Sequence, residues 1–310
     1  MTTLTSKRIA VVGSGAVGSY YGGMLARAGY DVSFLMRNDL AAVRKNGLII
    51  HTGGAQVHLQ DVQAFGSTEE IGPCDLVIIA LKATGNPMLE KAIPPLLGPE
   101  TALLTLQNGL GNEEFLAERW GENRVMGALC FVCLNRTAPG IIEHFDHGSL
   151  SIGEFRGAPR DRTRAVVDAF VHAGIEAQAV ENLLTERWRK LLWNIPFNGL
   201  SVAADSATVD IVLQDEGLRT LARNLMSEVL DAARRLGHEI PDSYADYQIE
   251  RSWSMGAYKP SSMLDWQHRY PVEVEAIWGE PWRQGTAAGA QMGRLETLYR
   301  VLQRLTRTDR

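Results

Sequence analysis

The chain has 310 residues, of which 45% are apolar and 22% are charged, and its net charge is −5. This length exceeds the size at which one hydrophobic core stops growing, so we expect two domains of ordinary globular composition. The mild negative charge, without clustered Lys and Arg, argues against a nucleic-acid partner, and no apolar run reaches the roughly 18 residues that would indicate a membrane partner.

Short β-branched runs alternate with helical stretches in the first half of the chain. The predicted strands cover residues 8–12, 32–36, 76–81, 102–106 and 125–134. Strands that alternate with helices predict an α/β fold, here a doubly wound, Rossmann-type parallel sheet. The two-residue rhythm of residues 48–65 around Gly53-Gly54 predicts an inserted hairpin, and residues 140–155 indicate further, antiparallel strands.

The pattern changes near residue 180. Beyond it there is almost no strand signal, and long stretches such as 217–236 and 292–305 have helical period. We therefore expect an NADP(H)-binding Rossmann-type domain over residues 1–180 and an all-α substrate and catalytic domain over residues 181–310.

A glycine-rich loop, Gly13-Ser14-Gly15-Ala16-Val17-Gly18, lies between the first strand and a helix. In a G-x-G-x-x-G loop the first glycine permits a tight turn, the second lets a pyrophosphate approach the backbone, and the third lets helix and strand pack closely. The helix N-terminus behind the loop offers free N–H groups to phosphates. Because the loop sits inside a βαβ unit of the expected length, these six residues are predicted to bind a dinucleotide, the alternative being a glycine-rich turn without a ligand.

The end of the second strand indicates which dinucleotide. NAD-specific sites place a carboxylate there for the ribose 2′-OH, but this strand ends in Met36-Arg37-Asn38. Arg37 could pair with a 2′-phosphate, which a carboxylate would repel. Asp39 follows, but it lies past the strand and could equally begin the next helix. NADP(H) is therefore the expected cofactor.

Residues 186–200 read ERWRKLLWNIPFNGL and place Lys190, Asn194 and Asn198 on one face of a mostly apolar helix. Such a helix is usually buried, so its polar face must meet partners or a cleft. An ammonium and two amides would suit a substrate with a carbonyl, hydroxyl or carboxylate. Alternatively, Lys190 reaches water and both Asn side chains bond to backbone. Pro196 removes one helical hydrogen bond and is compatible with a kink beside a cleft.

Four segments in order give the chain a family resemblance. They are the glycine loop, LQNGLGNEE, ERWRKLLWN and SSMLDWQHRYPVEVEAIWG, and together they resemble the ketopantoate reductase (2-dehydropantoate 2-reductase) family over nearly the whole chain. The resemblance implies cofactor contacts by the glycine loop, substrate contacts by polar side chains and catalysis by a lysine. Position by position it implies Arg37 at the 2′-phosphate, Lys82 as a second cofactor-side lysine, Asn108 between nicotinamide and substrate, Lys190 as the catalytic lysine, Asn194, Asn198 and Ser262 at the substrate, and Glu273 as the glutamate of the catalytic and cofactor site.

Several positions depart from the family pattern. Val272, Glu275 and Trp278 replace the Thr, Asp and Asn that usually surround the glutamate, and Lys259 and Thr208 stand where substrate-binding residues are common. The cofactor half of the resemblance is thus firmer than the substrate half, and a 2-oxo acid other than ketopantoate is an alternative substrate.

The resemblance implies NADPH-dependent reduction of 2-dehydropantoate to pantoate in pantothenate and coenzyme A synthesis. Lys190 would polarise the C2 carbonyl and protonate the alkoxide. A non-catalytic NADP(H)-binding sensor is a second class, which a general-acid lysine disfavours. No metal is expected, because Cys130 and Cys133 are predicted as buried strand thiols, and His144 and His147 as strand residues with separated rings. Few cysteines favour the cytoplasm, and a homodimer is compatible with the sequence.

Overall fold

The computed structural model describes residues 7–307 and divides into two compact units. The chain forms the first unit up to Gln107 and again over Asn112–Leu183. The tetrapeptide Asn108–Gly111 and the chain from Leu184 onward form the second unit. The first unit contains every strand of the described residues, whereas the second is helical.

The first unit is built on a ten-stranded mixed sheet in the order β4-β3-β9-β8-β7-β6-β1-β2-β5, with β10 beside β9. The strands are β1 (Arg8–Val12), β2 (Asp31–Leu35), β3 (Leu48–Thr52), β4 (Ala55–Leu59), β5 (Gln63–Phe65), β6 (Cys74–Ile79), β7 (Leu97–Thr105), β8 (Val125–Ala138), β9 (Ile141–Glu154) and β10 (Ala177–Ala179).

The centre of this sheet is parallel and Rossmann-like, which confirms the predicted fold class. Strand β1 pairs in parallel with β2 on one side and with β6 on the other. The strand order therefore reverses at β1, and ligands of such sheets bind beyond the carboxyl ends of the strands at this switch point. The inner residues of β1 are fully buried, as both-face coverage by helices requires.

The predicted insertion is a hairpin, as expected. Strands β3 and β4 are antiparallel, with Thr52 opposite Ala55. Gly53 and Gly54 form the two-residue turn with φ of 56° and 77°, the left-handed geometry that such hairpins need. Strand β9 is antiparallel to β8, also as predicted, but it is a single strand of 14 residues with register shifts at three places along β8.

Helices cover the sheet of the first unit. They are α1 (Ala16–Arg27), α2 (Leu40–Asn46), α3 (Thr68–Ile71), α4 (Asn86–Ala92), α5 (Asn112–Trp120) and α6 (Asp161–His172). Helix α1 follows the glycine loop and buries Tyr21, Met24 and Leu25 in the core. Its glycines Gly22 and Gly23 face Phe34 and Ile50 at distances that leave no room for a Cβ, so the helix lies directly on the sheet.

The second unit is a helical bundle around α7. Its helices are α7 (Leu183–Ala203), α8 (Val209–Gln214), α9 (Glu216–Arg235), α10 (Ser243–Ser252), α11 (Ser261–Gln267), α12 (Glu280–Ala287) and α13 (Gly293–Leu305), with a π-helix over Glu275–Gly279. Helix α7 runs through Pro196 without ending. Trp188, Leu192 and Phe197 of this helix lie in the core, together with Trp278 of the π-helix. Within residues 7–307, no helix combines the length and apolar character that crossing a bilayer requires.

Candidate active site

The glycine loop joins the carboxyl end of β1 to the N-terminus of α1. Gly13 has φ of 103°, and a Cβ there would lie 2.3 Å from the backbone N of Leu81, just past β6. A Cβ on Gly18 would lie 2.2 Å from the carbonyl oxygen of Gly13, so the helix packs on the turn itself. A Cβ on Gly15 would instead enter open space. The loop is therefore tight on its protein side and clear at Gly15, which fits a pyrophosphate placed against the backbone.

The other members of the predicted cofactor site flank this loop. Arg37 follows β2 and is exposed, and Lys82 follows β6 and is half-buried. Because β2 and β6 are the parallel neighbours of β1, Arg37, Lys82 and the loop all follow carboxyl ends of adjacent strands. Ser14 Oγ donates to the carbonyl oxygen of Leu35 over 2.8 Å, which ties the loop to the end of β2.

Lys190, Asn194 and Asn198 lie on α7, four residues apart, as predicted. Lys190 is half-buried, whereas the two amides are buried, with 8% exposure for Asn194 and 2% for Asn198. Asn198 Oδ1 accepts from the backbone N–H of Ser262 over 2.9 Å, at the N-terminus of α11. The Asn198 oxygen therefore bonds to backbone, as in the structural alternative.

The structure joins Lys190 to Asn108, although 82 residues separate them in sequence. Lys190 Nζ donates to Asn108 Oδ1 over 2.7 Å. The tetrapeptide that carries Asn108 is fixed against the π-helix, because Leu110 N–H donates to the carbonyl oxygen of Ala276 over 2.9 Å. Gly109 has φ of 83°, and a Cβ there would lie 2.2 Å from the same Ala276 oxygen. The contact with Ala276 thus positions Asn108, and the sequence signalled it only through the glycine that follows Asn108.

Glu273 and Ser262 are both buried in the second unit. Glu273 is 9% exposed and precedes the π-helix, to which it is joined by the hydrogen bond from Ile277 N–H to its carbonyl oxygen, 3.1 Å long. Ser262, 2% exposed, lies in the first turn of α11. π-Helical turns are rare and occur often at functional sites. The one here was not predicted, because its residues also fit an ordinary apolar helix.

Glu275, one of the departures from the family pattern, holds the π-helix to neighbouring helices. Its carboxylate accepts hydrogen bonds from Tyr299 Oη at 2.8 and 2.9 Å, from Arg283 Nη1 at 2.9 Å and from Gln303 Nε2 at 3.0 Å. Burial raises the pKa of Glu275, but the hydrogen bonds from Tyr299, Arg283 and Gln303 outweigh it, so the net pKa is lowered. This carboxylate is therefore a structural anion rather than an acid.

The other departures fall into two groups. Trp278 is fully buried, and its indole donates to the carbonyl oxygen of Ile195 over 2.9 Å, so it is a core residue of the second unit. Val272 is also buried. Lys259, by contrast, is exposed, and Thr208 occupies the N-cap position of α8 with its hydroxyl bonded to Asp210.

One minor expectation, about the Cys residues, needs correction. Cys130 and Cys133 are half-buried rather than buried, because the end of the long β8–β9 pair extends beyond the core. His144 and His147 both lie on β9, as predicted. His147 has φ of 62°, and its carbonyl oxygen contacts His144 Nε2 at 3.0 Å. Within residues 7–307, no three His, Cys, Asp or Glu side chains gather as a metal site would require.

A Rossmann-like unit with an open glycine loop and a helical unit with a lysine–asparagine pair define a dinucleotide-dependent class of α/β proteins. Comparison with known proteins specifies the family. The model of the ketopantoate reductase PanE/ApbA family matches residues 9–157, and that of its C-terminal region, ketopantoate reductase PanE/ApbA C terminal, matches residues 182–306. The chain therefore belongs to the ketopantoate reductase family, as the sequence resemblance predicted, and is an oxidoreductase acting on CH–OH groups.

Individual relatives are similar over nearly their full length. The 2-dehydropantoate 2-reductase of Nostoc sp. is 36% identical, with 99% of this chain and 98% of the relative covered. The 2-dehydropantoate 2-reductase of Mesorhizobium japonicum is 32% identical over 87% of this chain and 89% of its own. The crystal structure of 2-dehydropantoate 2-reductase from Geobacter metallireducens has a TM-score of 0.93 at 40% identity, covering 96% of this chain and 99% of that one.

Proposed function

We propose that this chain reduces 2-dehydropantoate to pantoate with NADPH, in the cytoplasm, as a step of pantothenate and coenzyme A synthesis. The observation that carries the proposal is the 2.7 Å contact between Lys190 and Asn108 within a buried, family-matched helical unit. The named relatives act on this substrate according to their descriptions, which supports the same substrate class here.

The proposed cofactor residues fit a phosphorylated dinucleotide. Gly15 leaves open space beside the backbone, and the first N–H groups of α1 favour phosphate there. Arg37 supplies an exposed guanidinium for the 2′-phosphate, and Lys82 adds a second cation beyond β6. When bound, NADPH supplies the hydride for reduction at the C2 carbonyl carbon.

Lys190 is the proposed general acid. Its ammonium donates a hydrogen bond to the C2 carbonyl oxygen, and as negative charge develops on this oxygen it transfers a proton to give the hydroxyl. Asn108 Oδ1 holds the ammonium in a fixed direction before the reaction. The side-chain amides of Asn194 and Asn198 offer N–H donors to substrate oxygens. Ser262 is the third residue proposed to contact the substrate. Glu273 is the carboxylate proposed to bond the substrate hydroxyl or balance the charge of Lys190.

A second candidate, reduction of a different 2-oxo acid, is favoured by Lys259 and Thr208. Lys259 presents a charge, and Thr208 a hydroxyl engaged by Asp210, at positions where the family resemblance implies substrate contacts. These residues bear on substrate choice and leave the chemistry at C2 unchanged.

A panel of 2-oxo acids, each assayed with NADPH and with NADH by nicotinamide absorbance, tests the proposal. We expect the highest kcat/KM for 2-dehydropantoate with NADPH. A higher kcat/KM for another 2-oxo acid would show that this acid, and not 2-dehydropantoate, is the preferred substrate. An equal kcat/KM with NADH would contradict the proposed preference for NADP(H). Binding of NADPH without turnover of any acid would instead indicate a sensor. Sedimentation of the same sample tests whether the chain forms the homodimer with which its sequence is compatible.

A further inference from the structure

Asp39 lies in the turn that carries Arg37, and its side chain is only 6% exposed. It occupies the N-cap position of α2, where a carboxylate usually accepts hydrogen bonds from the first helical N–H groups. Its side chain makes no such capping bond. A negative charge is therefore buried in the turn after β2 for a reason other than starting the helix.

The partners of Asp39 come from the end of the distant strand β8 and from the turn that follows it. Arg136 Nη1 donates to Asp39 Oδ1 over 2.6 Å, and the backbone N–H of Gly140 donates to Asp39 Oδ2 over 3.2 Å. Gly140 has φ of 74°, and a Cβ there would lie 2.9 Å from Val43 of α2, so the two segments are in close contact. Arg136 is 38% exposed, and it is the cation that the structure places on the Asp39 carboxylate.

We propose that Arg136 determines cofactor specificity by neutralising Asp39. The proposal rests on the proposed use of NADP(H) and adds a residue to that site. A free carboxylate two residues beyond Arg37 would repel a 2′-phosphate, and it would also be suited to accept from the 2′-hydroxyl of NADH. Pairing with Arg136 cancels the charge, and the bond from Gly140 directs the second oxygen away from solvent. The pair thereby lets a turn that contains an aspartate accept a phosphorylated ribose.

This role has a signature that a purely structural role lacks. Removing the Arg136 charge leaves Asp39 uncompensated, so kcat/KM falls for NADPH and stays constant or rises for NADH. Loosening of the turn would instead lower kcat/KM for both cofactors. The electrostatic effect also weakens with salt, because about 0.5 M salt shortens the screening length well below its value at 0.05 M.

The experiment measures the Kd of NADPH and of NADH by fluorescence, and kcat/KM with each cofactor, in Arg136→Gln, Arg136→Lys and the double variant Asp39→Asn with Arg136→Gln. The NADPH-to-NADH ratio is taken both for affinity (1/Kd) and for kcat/KM. We expect Arg136→Gln to lower the NADPH-to-NADH ratio about fivefold or more, Arg136→Lys to keep it within about twofold, and the double variant to restore it. Arg119→Gln is the matched control, because Arg119 forms a 2.9 Å ion pair with Glu90 in the same unit.

An unchanged ratio in Arg136→Gln, or equal losses with both cofactors, would overturn the inference. If Arg136→Gln does not fold, Asp39→Asn alone decides: this variant removes the charge and should keep or raise the ratio, and a fall would overturn the inference. Failure of the proposed function is seen separately, since the unmodified protein would then show no NADPH preference.

Discussion

Replacing Gly109 with alanine should displace Asn108 from Lys190. Gly109 has φ of 83°, and the new Cβ would lie 2.2 Å from the oxygen and 2.4 Å from the carbonyl carbon of Ala276. These are backbone atoms of the π-helix and cannot rotate away. The Asn108–Gly111 segment must therefore move by about 1 Å, and a displacement of this size in a catalytic group can reduce the rate about 100-fold.

The free-energy cost has two parts. An L-residue in the left-handed region costs about 1–2 kcal/mol relative to glycine. Loss of the 2.9 Å bond from Leu110 N–H to the Ala276 oxygen adds about 1 kcal/mol. Gly111→Ala is a matched control, because Gly111 has a similar φ of 87° but the atoms nearest its Cβ belong to the flexible Glu280 side chain, the first at 3.2 Å. The control contains the first part of the cost and lacks the backbone clash.

Urea unfolding measures the free-energy cost of each substitution. Steady-state kinetics with 2-dehydropantoate and NADPH measures its effect on catalysis. We expect kcat to fall about 100-fold in Gly109→Ala and about tenfold or less in Gly111→Ala. The Kd of NADPH should change far less than kcat in both variants, because the glycine loop is untouched and Asn108 is only one of the predicted cofactor residues. Equal kcat values in the two variants would refute the reasoning that the contact with Ala276 positions Asn108.

Three further predictions concern the second unit. Glu275→Gln should flatten the acid side of the curve of unfolding free energy against pH. The lowered pKa of Glu275 stabilises the fold above the unfolded pKa of about 4.5, and this stability is lost as pH falls through the folded pKa. Urea titrations at pH 3–6 that show an unchanged acid side would contradict this. Glu228→Ala should lower the free energy of unfolding by about 2–4 kcal/mol. The Glu228 carboxylate accepts hydrogen bonds from two backbone N–H groups at the start of α13, at 3.1 and 3.0 Å, and the variant loses both. A loss below about 0.5 kcal/mol in urea unfolding would contradict this. Asn198→Asp should keep the fold, since it retains the acceptor for the Ser262 N–H. It should raise KM for a 2-oxo acid about tenfold, because it places a negative charge near the substrate carboxylate. An unchanged KM would show that Asn198 does not contact the substrate.

The local features of the fold could be predicted because each has a signal in neighbouring residues. The glycine loop, the Gly53-Gly54 hairpin and the 3.6-residue period of α7 depend on spacing over fewer than about 30 residues. The parallel pairing of the central strands follows from the alternation of strands and helices, because a helix that joins two strands of one sheet makes them parallel. For these reasons the central sheet and the helical second unit match the predictions.

Other features required contacts that spacing does not encode. The Lys190–Asn108 contact joins residues 82 positions apart. The tetrapeptide that contains Asn108 belongs by contacts to the helical unit, although the chain on both sides of it belongs to the first unit. Hydrogen bonds from Tyr299 and from other residues of later helices join Glu275 of the π-helix to those helices. The sequence left Asp39 ambiguous between a helix start and a cofactor contact, whereas the structure pairs it with Arg136.

The role of Lys190 is tested most directly by Lys190→Ala, assayed with 2-dehydropantoate and NADPH while the Kd of NADPH is measured by fluorescence. A general acid contributes about 100- to 10,000-fold to the rate, so kcat should fall by at least about 100-fold with the Kd of NADPH unchanged. Turnover within about threefold of the unmodified protein would contradict the proposal that Lys190 donates the proton.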